Sequence, residues 1–369
     1  MVAAVGHEKY SVRWTATLTP PANGDYEVTV RTGMWNWTAT ARLFLDDKEL
    51  TVGGGPSTQV TSTQAAPGPR RPVRVQVALE AGRKYALRVE YRQTGGGGTI
   101  QLAWTPPADA TLAEAVALAK GSDVAVVFVG LSSELEGEEM RGVNIPGFLG
   151  GDRTSIGLPE GQEKLVQAAI ATGKPVVVVL TSGSAVAVRS AAEGASAVLA
   201  AWYGGEEAGT AIAETLAGVN NPAGRLPVTF YKSVEQLPAF TDYNMKGRTY
   251  RYFKGEPLYP FGFGLSYSTF AYSGLVAKRT ATGAEIRATV KNTSVQDGDE
   301  VVQLYVGGGH EEGAPIRNLR GFQRIHLRAG ENREVTFTLG TDETPKSAVE
   351  VSVGGGQPLA NTPHLRGRL

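Results

Sequence analysis

The stretch Val124-Ala125-Val126-Val127-Phe128-Val129-Gly130-Leu131-Ser132-Ser133-Glu134-Leu135-Glu136-Gly137-Glu138-Glu139-Met140 decides how this chain is read. Its first six residues are apolar and mostly β-branched, and such a run, ended by a glycine, predicts a fully buried strand. Glu134, Glu136, Glu138 and Glu139 then place four carboxylates within six positions. A Pro/Gly-rich loop follows (Pro146, Gly147, Gly150, Gly151) and closes at Asp152-Arg153-Thr154. In open parallel sheets, ligands bind beyond the carboxyl ends of the strands, so an acidic loop at such an end is a candidate site. Clustered glutamates on a loop are otherwise ordinary solvated surface, and the flanking sequence must separate the two.

Around this stretch the periodicity is that of an α/β segment. Leu112, Ala115, Val116 and Ala119 share one face of a helix that leads into the strand. A second helix is expected over residues 160–172, with Leu165, Val166 and Ala169 inward. Buried strands are expected at 175–180 and 197–202, a helix at 207–217, and the start of another strand at 225–230. Strands alternating with helices predict a parallel sheet with helices on both faces.

Upstream, residues 8–106 read as all-β. Period-two alternation marks Tyr10 to Leu18, Gly24 to Val30, Ala41 to Leu45, Val73 to Val77 and Tyr85 to Tyr91. Turn signals punctuate them, including Pro20-Pro21-Ala22-Asn23-Gly24, Asp46-Asp47 and the glycines at 95–98. Downstream, an aromatic and Gly-rich segment at 247–267 gives way to renewed alternation at 284–291, 300–306, 324–327 and 335–339. The pattern predicts a multidomain chain, α/β plus all-β: a first β-sandwich (1–107), a parallel α/β sandwich (108–246), a packed linker (247–267) and an immunoglobulin- or fibronectin-like second sandwich (268–369).

Composition narrows the function classes. The 369 residues carry 36 Lys+Arg against 36 Asp+Glu, so there is no electrostatic footprint for nucleic acid or an anionic membrane surface. Cysteine is absent, which removes thiol and disulfide chemistry. His7, His310, His326 and His364 lie too far apart for metal-ligand spacing, and no motif asks for a cofactor. No stretch reaches the roughly 20 apolar residues of a membrane helix. The N-terminal Met1 to His7 has neither the basic nor the apolar region of a signal peptide.

Four ordered motifs then carry a resemblance: Tyr203-Gly204-Gly205-Glu206-Glu207-Ala208-Gly209; Asn221-Pro222-Ala223-Gly224-Arg225-Leu226-Pro227-Val228-Thr229-Phe230; Tyr250-Arg251-Tyr252-Phe253; and Tyr259-Pro260-Phe261-Gly262-Phe263-Gly264-Leu265-Ser266-Tyr267. Together they resemble the C-terminal half of glycoside hydrolase family 3, which includes β-glucosidases, β-xylosidases and arabinofuranosidases. The first sandwich resembles the protective-antigen-type insert of some members, and the last resembles their fibronectin type III-like domain. The resemblance implies an exo-acting retaining glycosidase, a glycoside or oligosaccharide substrate, and a periplasmic or secreted location. It also implies an Asp nucleophile on an N-terminal (β/α)8 barrel, which these 369 residues lack. The opening strands of the α/β domain are expected to be missing as well, and a separate barrel-containing chain is a candidate partner. A catalytically silent carbohydrate-binding protein built from the same modules is the alternative.

Retention needs two carboxyls about 5–5.5 Å apart, one as nucleophile and one as acid, then base. In the family, the acid/base loop runs Gly-Leu, then Glu-x-Glu, then Asp-Arg before Leu-Pro. Gly130-Leu131, Glu136-x-Glu138, Asp152-Arg153 and Leu158-Pro159 match that order, with a longer loop between. This register implies that Glu138 is the acid/base, with Glu136 and Glu139 as the next candidates. Asp152 and Arg153 are expected to pin the loop as an ion pair. Tyr203, Glu206 and Glu207 are expected to shape a helix N-terminus. Trp35 and Trp37 offer flat faces for stacking on sugar, although paired Trp in a sandwich also serve as core or edge packing.

Overall fold

Alternating apolar side chains on short strands have to find a second sheet to bury against, and the N-terminal part of the chain does so. The computed structural model describes residues 9–32, 39–50, 73–95, 100–136, 146–149, 152–308 and 313–369. They fall into two compact units, residues 1–121 and 122–369. In the first, β1 (Tyr10–Leu18), β2 (Gly24–Thr32), β3 (Ala39–Leu45), β4 (Lys48–Glu49), β5 (Val73–Leu79), β6 (Tyr85–Gln93) and β7 (Ile100–Thr105) precede helix α1 (Ala108–Lys120). They pair antiparallel in two sheets, β1-β6-β3-β4 and β5-β2-β7. Val28, Val30, Ala41, Leu43, Val89 and Tyr91 form the core between them. Strand β7, which follows the glycine run, is one that alternation alone did not single out.

The second unit opens with β8 (Ala125–Gly130), the one-turn helix α2 (Ser133–Glu136), and the short strands β9 (Phe148–Leu149) and β10 (Asp152–Arg153). It continues with α3 (Glu160–Ile170), β11 (Val176–Thr181), α4 (Arg189–Gly194), β12 (Ala197–Ala200) and α5 (Ala208–Leu216). Strand β11 lies between β12 and β8 and pairs parallel with both. Val166 and Ala169 of α3 and Ala191 of α4 bury against Val127, Val129, Val176, Val178 and Leu180 on one face of this sheet. Acidic residues Glu160 and Glu163 occupy the first turn of α3, where the helix dipole favours them.

Two expectations are corrected here. Strand β8 is not fully buried: among the described residues it pairs with β11 alone, and Val126 and Phe128 on its second face are 45% and 58% exposed. A β-branched run records strand preference, and coverage of each face depends on what packs there. Residues 225–230 also do not begin a sheet strand. Leu226 and Phe230 instead exchange individual backbone hydrogen bonds with Gly262, Phe263, Leu258 and Tyr259. Pro227, lacking an N–H, suits this irregular pairing and not a central strand.

The short helix α6 (Thr249–Tyr252) leads into the second sandwich: β13 (Phe270–Thr280), β14 (Gly283–Asn292), β15 (Gly298–Gly307), β16 (Arg317–Leu327), β17 (Asn332–Gly340), β18 (Glu350–Gly354) and β19 (His364–Arg368). Its sheets run β13-β14-β17 and β16-β15-β18-β19, all antiparallel, over a core that includes Ile286, Leu304, Leu327, Leu339 and Val351. The sandwich is joined to the α/β segment by polar contacts. Arg225 reaches the buried Glu300 of β15 at 2.5 Å, the two side chains being 10% and 5% exposed. Asn221 donates to Ser268 Oγ and the Asp297 carbonyl and accepts from Ser266 Oγ and the Tyr267 N–H.

Two predictions follow from burial. Val178→Ala, at a site with 0% exposure, should cost about 2 kcal/mol, whereas Val126→Ala on the open face should cost less than about 1 kcal/mol. Chemical denaturation comparing the two variants is the check. Arg225→Ala leaves Glu300 buried without its cation and should cost about 3–5 kcal/mol. Replacing both partners, Arg225→Met with Glu300→Leu, should restore most of that loss, as read from the same unfolding curves.

Candidate functional site

At the carboxyl end of β8 the chain must leave the sheet beside β11 with almost no room. Gly130 adopts φ 142°, and a Cβ built there would lie 1.8 Å from the Thr181 carbonyl oxygen. Only glycine fits this combination of dihedral and approach. The turn is clamped from both sides. Gly130 N–H donates to Gln162 Oε1 at 2.7 Å, and Gln162 Nε2 donates back to the Gly130 carbonyl at 2.9 Å. Leu131 N–H continues the ladder to Thr181 O at 2.8 Å, and its side chain is buried.

The next residues form α2, started by Ser132. Leu135 and Glu136 N–H groups donate to the Ser132 carbonyl at 3.0 and 2.9 Å. Leu135 packs against the α/β core, and the Glu136 carboxylate lies beside Gly183 and Tyr203, just past the ends of β11 and β12. Its Oε2 accepts a hydrogen bond from the Tyr203 hydroxyl at 3.2 Å. Burial, and then the Glu136 carboxylate, push the Tyr203 phenol above its ordinary pKa.

Arg153 closes the other side. The antiparallel pair β9 and β10 sets Arg153 opposite Phe148 and Asp152 opposite Leu149, and Phe148 is buried. The guanidinium donates to Ser184 Oγ at 2.9 Å and to the carbonyls of Ser155 (3.1 Å) and Ala185 (3.2 Å). Among the described residues Arg153 therefore binds the loop after β11, and it makes no ion pair with Asp152. Burial pushes its guanidinium below the ordinary value, and the nearby Glu136 charge opposes that.

Of the residues singled out from sequence, Glu136, Asp152 and Arg153 are placed here, and Glu136 and Arg153 come within electrostatic reach of each other. Glu138, Glu139, Trp35 and Trp37 lie outside the described residues. Tyr203 does not shape a helix N-terminus: α5 begins at Ala208, and Tyr203 reaches back to Glu136 from the segment before it. Gln162 carried no sequence signal for its role, since its partner stands 32 positions away.

The chain matches the glycosyl hydrolase family 3 C-terminal domain over residues 4–267 and a fibronectin type III-like domain over residues 300–345. It belongs to glycosyl hydrolase family 3. It is 36% identical over 90% of its length to a xylan 1,4-beta-xylosidase of Xylanibacter ruminicola, covering 37% of that protein. It is 34% identical over 87% of its length to a beta-glucosidase of Rhizobium radiobacter, covering 40% of that protein. The beta-glucosidase of Kluyveromyces marxianus, solved with glucose, superposes with a TM-score of 0.70 at 26% identity, over 97% of this chain and 44% of the other. The chain thus spans about two fifths of the length of these relatives.

Gly130→Ala forces both a strained dihedral and a clash with a backbone carbonyl, and should cost more than about 4 kcal/mol or prevent folding of the α/β segment. Gly173→Ala is the control. That residue also has positive φ, 74°, but open space around it, and should cost about 1 kcal/mol. Far-ultraviolet dichroism and denaturant midpoints of the two variants test the contrast.

Proposed function

We propose that the chain supplies the general acid/base, Glu138, of an exo-acting retaining β-glycosidase that removes terminal β-linked glucose or xylose. The nucleophile is assigned to a (β/α)8 barrel outside these 369 residues, in the same polypeptide or in a partner chain. The observation that supports this reading is that the described chain leaves the carboxyl end of β8 at Gly130-Leu131 and runs to Glu136, two positions before Glu138 in sequence. In the first step Glu138 gives its proton to the departing glycosidic oxygen as the nucleophile attacks the anomeric carbon. In the second it takes a proton from water, which attacks the glycosyl-enzyme. Within this reading the chain is divided at about residues 107, 246 and 268 into the insert sandwich, the α/β segment with the acid/base loop, the linker and the fibronectin-like sandwich. Asp152 and Arg153 serve to structure the loop.

The 369-residue polypeptide assayed alone should show no turnover of aryl β-glucosides or β-xylosides, because half of the carboxylate pair is absent. With the barrel supplied, Glu138→Ala should slow oligosaccharide hydrolysis by about 10²–10⁴-fold and affect a dinitrophenyl glycoside far less at bond cleavage. The glycosyl-enzyme should then stall, and azide should restore turnover with a β-glycosyl azide as product. Rescue in Glu136→Ala or Glu139→Ala, and not in Glu138→Ala, would move the acid/base to that residue.

A further inference from the structure

Just before α6 the chain makes a loop that carries two almost naked aromatic rings. Phe240 is 94% exposed and Tyr243 89%, with Met245, two positions on, at 47%. Leaving such rings in water forgoes the gain of burying them, yet the loop that presents them is closed from within. Arg248 donates through Nε to the Asn244 carbonyl at 3.1 Å, and through Nη2 to the carbonyls of Ala239, at 3.2 Å, and Asp242. The Asp242 N–H turns back to the Ala239 carbonyl at 2.9 Å. Asp242 Oδ1 accepts the Asn244 N–H at 2.9 Å and its Nδ2 at 2.8 Å. At the base, Thr249 has φ 52°, a left-handed conformation that a β-branched residue keeps only where its surroundings over-determine it. Its N–H is held by the Tyr231 hydroxyl at 2.8 Å. These contacts leave polar groups free at the tip: Asp242 Oδ2, Asn244 Oδ1 and the Lys246 ammonium make no hydrogen bond among the described residues.

We infer that this loop is a carbohydrate-docking platform, on which Phe240 and Tyr243 stack against the sugar rings of a β-linked glucose or xylose chain while Asp242, Asn244 and Lys246 bond its hydroxyls. The ligand class rests on the glycosidase reading above. Size argues for a small occupant: two such rings offer about 300–500 Å², against about 800 Å² on each side of a stable protein interface. Charge argues for a neutral one, since Asp242 and Lys246 contribute one of each sign. A pyranose ring with equatorial substituents has apolar C–H faces and a rim of hydroxyls, which is the complement of flat rings bordered by an amide, a carboxylate and an ammonium. Because Arg248 already holds the loop, little ordering remains to oppose binding.

Titration calorimetry of the 369-residue chain with cellohexaose and with xylohexaose reads the platform without any turnover. At least one of the two should bind. Phe240→Ala and Tyr243→Ala should each weaken that binding about tenfold, and the double variant should leave none measurable, with the dichroism of the parent retained. Phe322→Ala removes another exposed aromatic (66%), on β16, and should bind as the parent does. No binding by the parent, or full binding by the double variant, overturns the platform. Self-association of the parent that the double variant abolishes also overturns it, since the rings would then meet a second copy. In the barrel-supplied enzyme the double variant should raise KM for the hexasaccharide about tenfold and leave an aryl monoglycoside unaffected. Loss of aryl glycoside turnover there would assign the rings to the barrel contact and overturn the platform. If Glu138→Ala cleaves oligosaccharides as the parent does while the rings still bind sugar, the acid/base assignment falls and the platform stands.

Discussion

The approach of Gly130 to the Thr181 carbonyl is the constraint on which the acidic side of this molecule depends. Strands β8 and β11 run parallel and in register to Thr181↔Gly130, and at that pair one chain must turn away. A side chain at position 130 would occupy the place of the neighbouring carbonyl, so the turn exists only because the residue is glycine. Gln162 then satisfies both polar groups of the turning residue, which would otherwise lose their ladder partners at the end of the strand. The turn by which the chain leaves β8 toward Glu136 is thus held by a helix that follows it in sequence. Arg153 adds a second hold, fastening the returning loop to the segment after β11 through neutral acceptors.

A different kind of contact unites the α/β segment with the fibronectin-like sandwich. Apolar surfaces could have joined them, but the junction is built from directional groups: the Arg225–Glu300 pair, the four hydrogen bonds of Asn221, and Gln303 and Gln357 donating to the Gly262 and Phe261 carbonyls. Tyr250 stacks on Phe261 at 4.3 Å and meets Tyr305 edge-on, placing the linker against β15. Burying charges costs desolvation, and their attraction offsets it only when the geometry is right. Such a junction therefore tolerates one arrangement of the two parts and penalises others. The linker, rich in Gly and aromatics, is packed structure held from both sides.

Much of this was legible in residue order. Period-two alternation located five strands of the first sandwich, helical periodicity located α1, α3 and α5, and glycine punctuation marked the turn at 130. The Tyr203 to Gly209, Asn221 to Phe230 and Tyr259 to Tyr267 motifs carried the family, and with it the register that nominates Glu138. These features are local: each is a property of consecutive residues and of the conformations they prefer.

What only the tertiary structure decided is which distant groups meet. The run Val124 to Val129 specified a strand, but whether Val126 and Phe128 are covered depends on the elements packed there, and among the described residues both are exposed. Tyr203 looked like part of a helix start because its neighbours are acidic and precede α5. Its partner is Glu136, brought close because β8 and β12 flank β11 in the same sheet. Arg153 stood next to Asp152 in sequence, yet adjacent residues on a strand point to opposite faces, and its hydrogen bonds went to Ser184 and Ala185 instead. Residue order determined the strands, helices, turns and family of this chain; the polar pairs that shape its site were set by sheet order, because hydrogen bonds and charges act over a few ångströms of space regardless of separation along the chain.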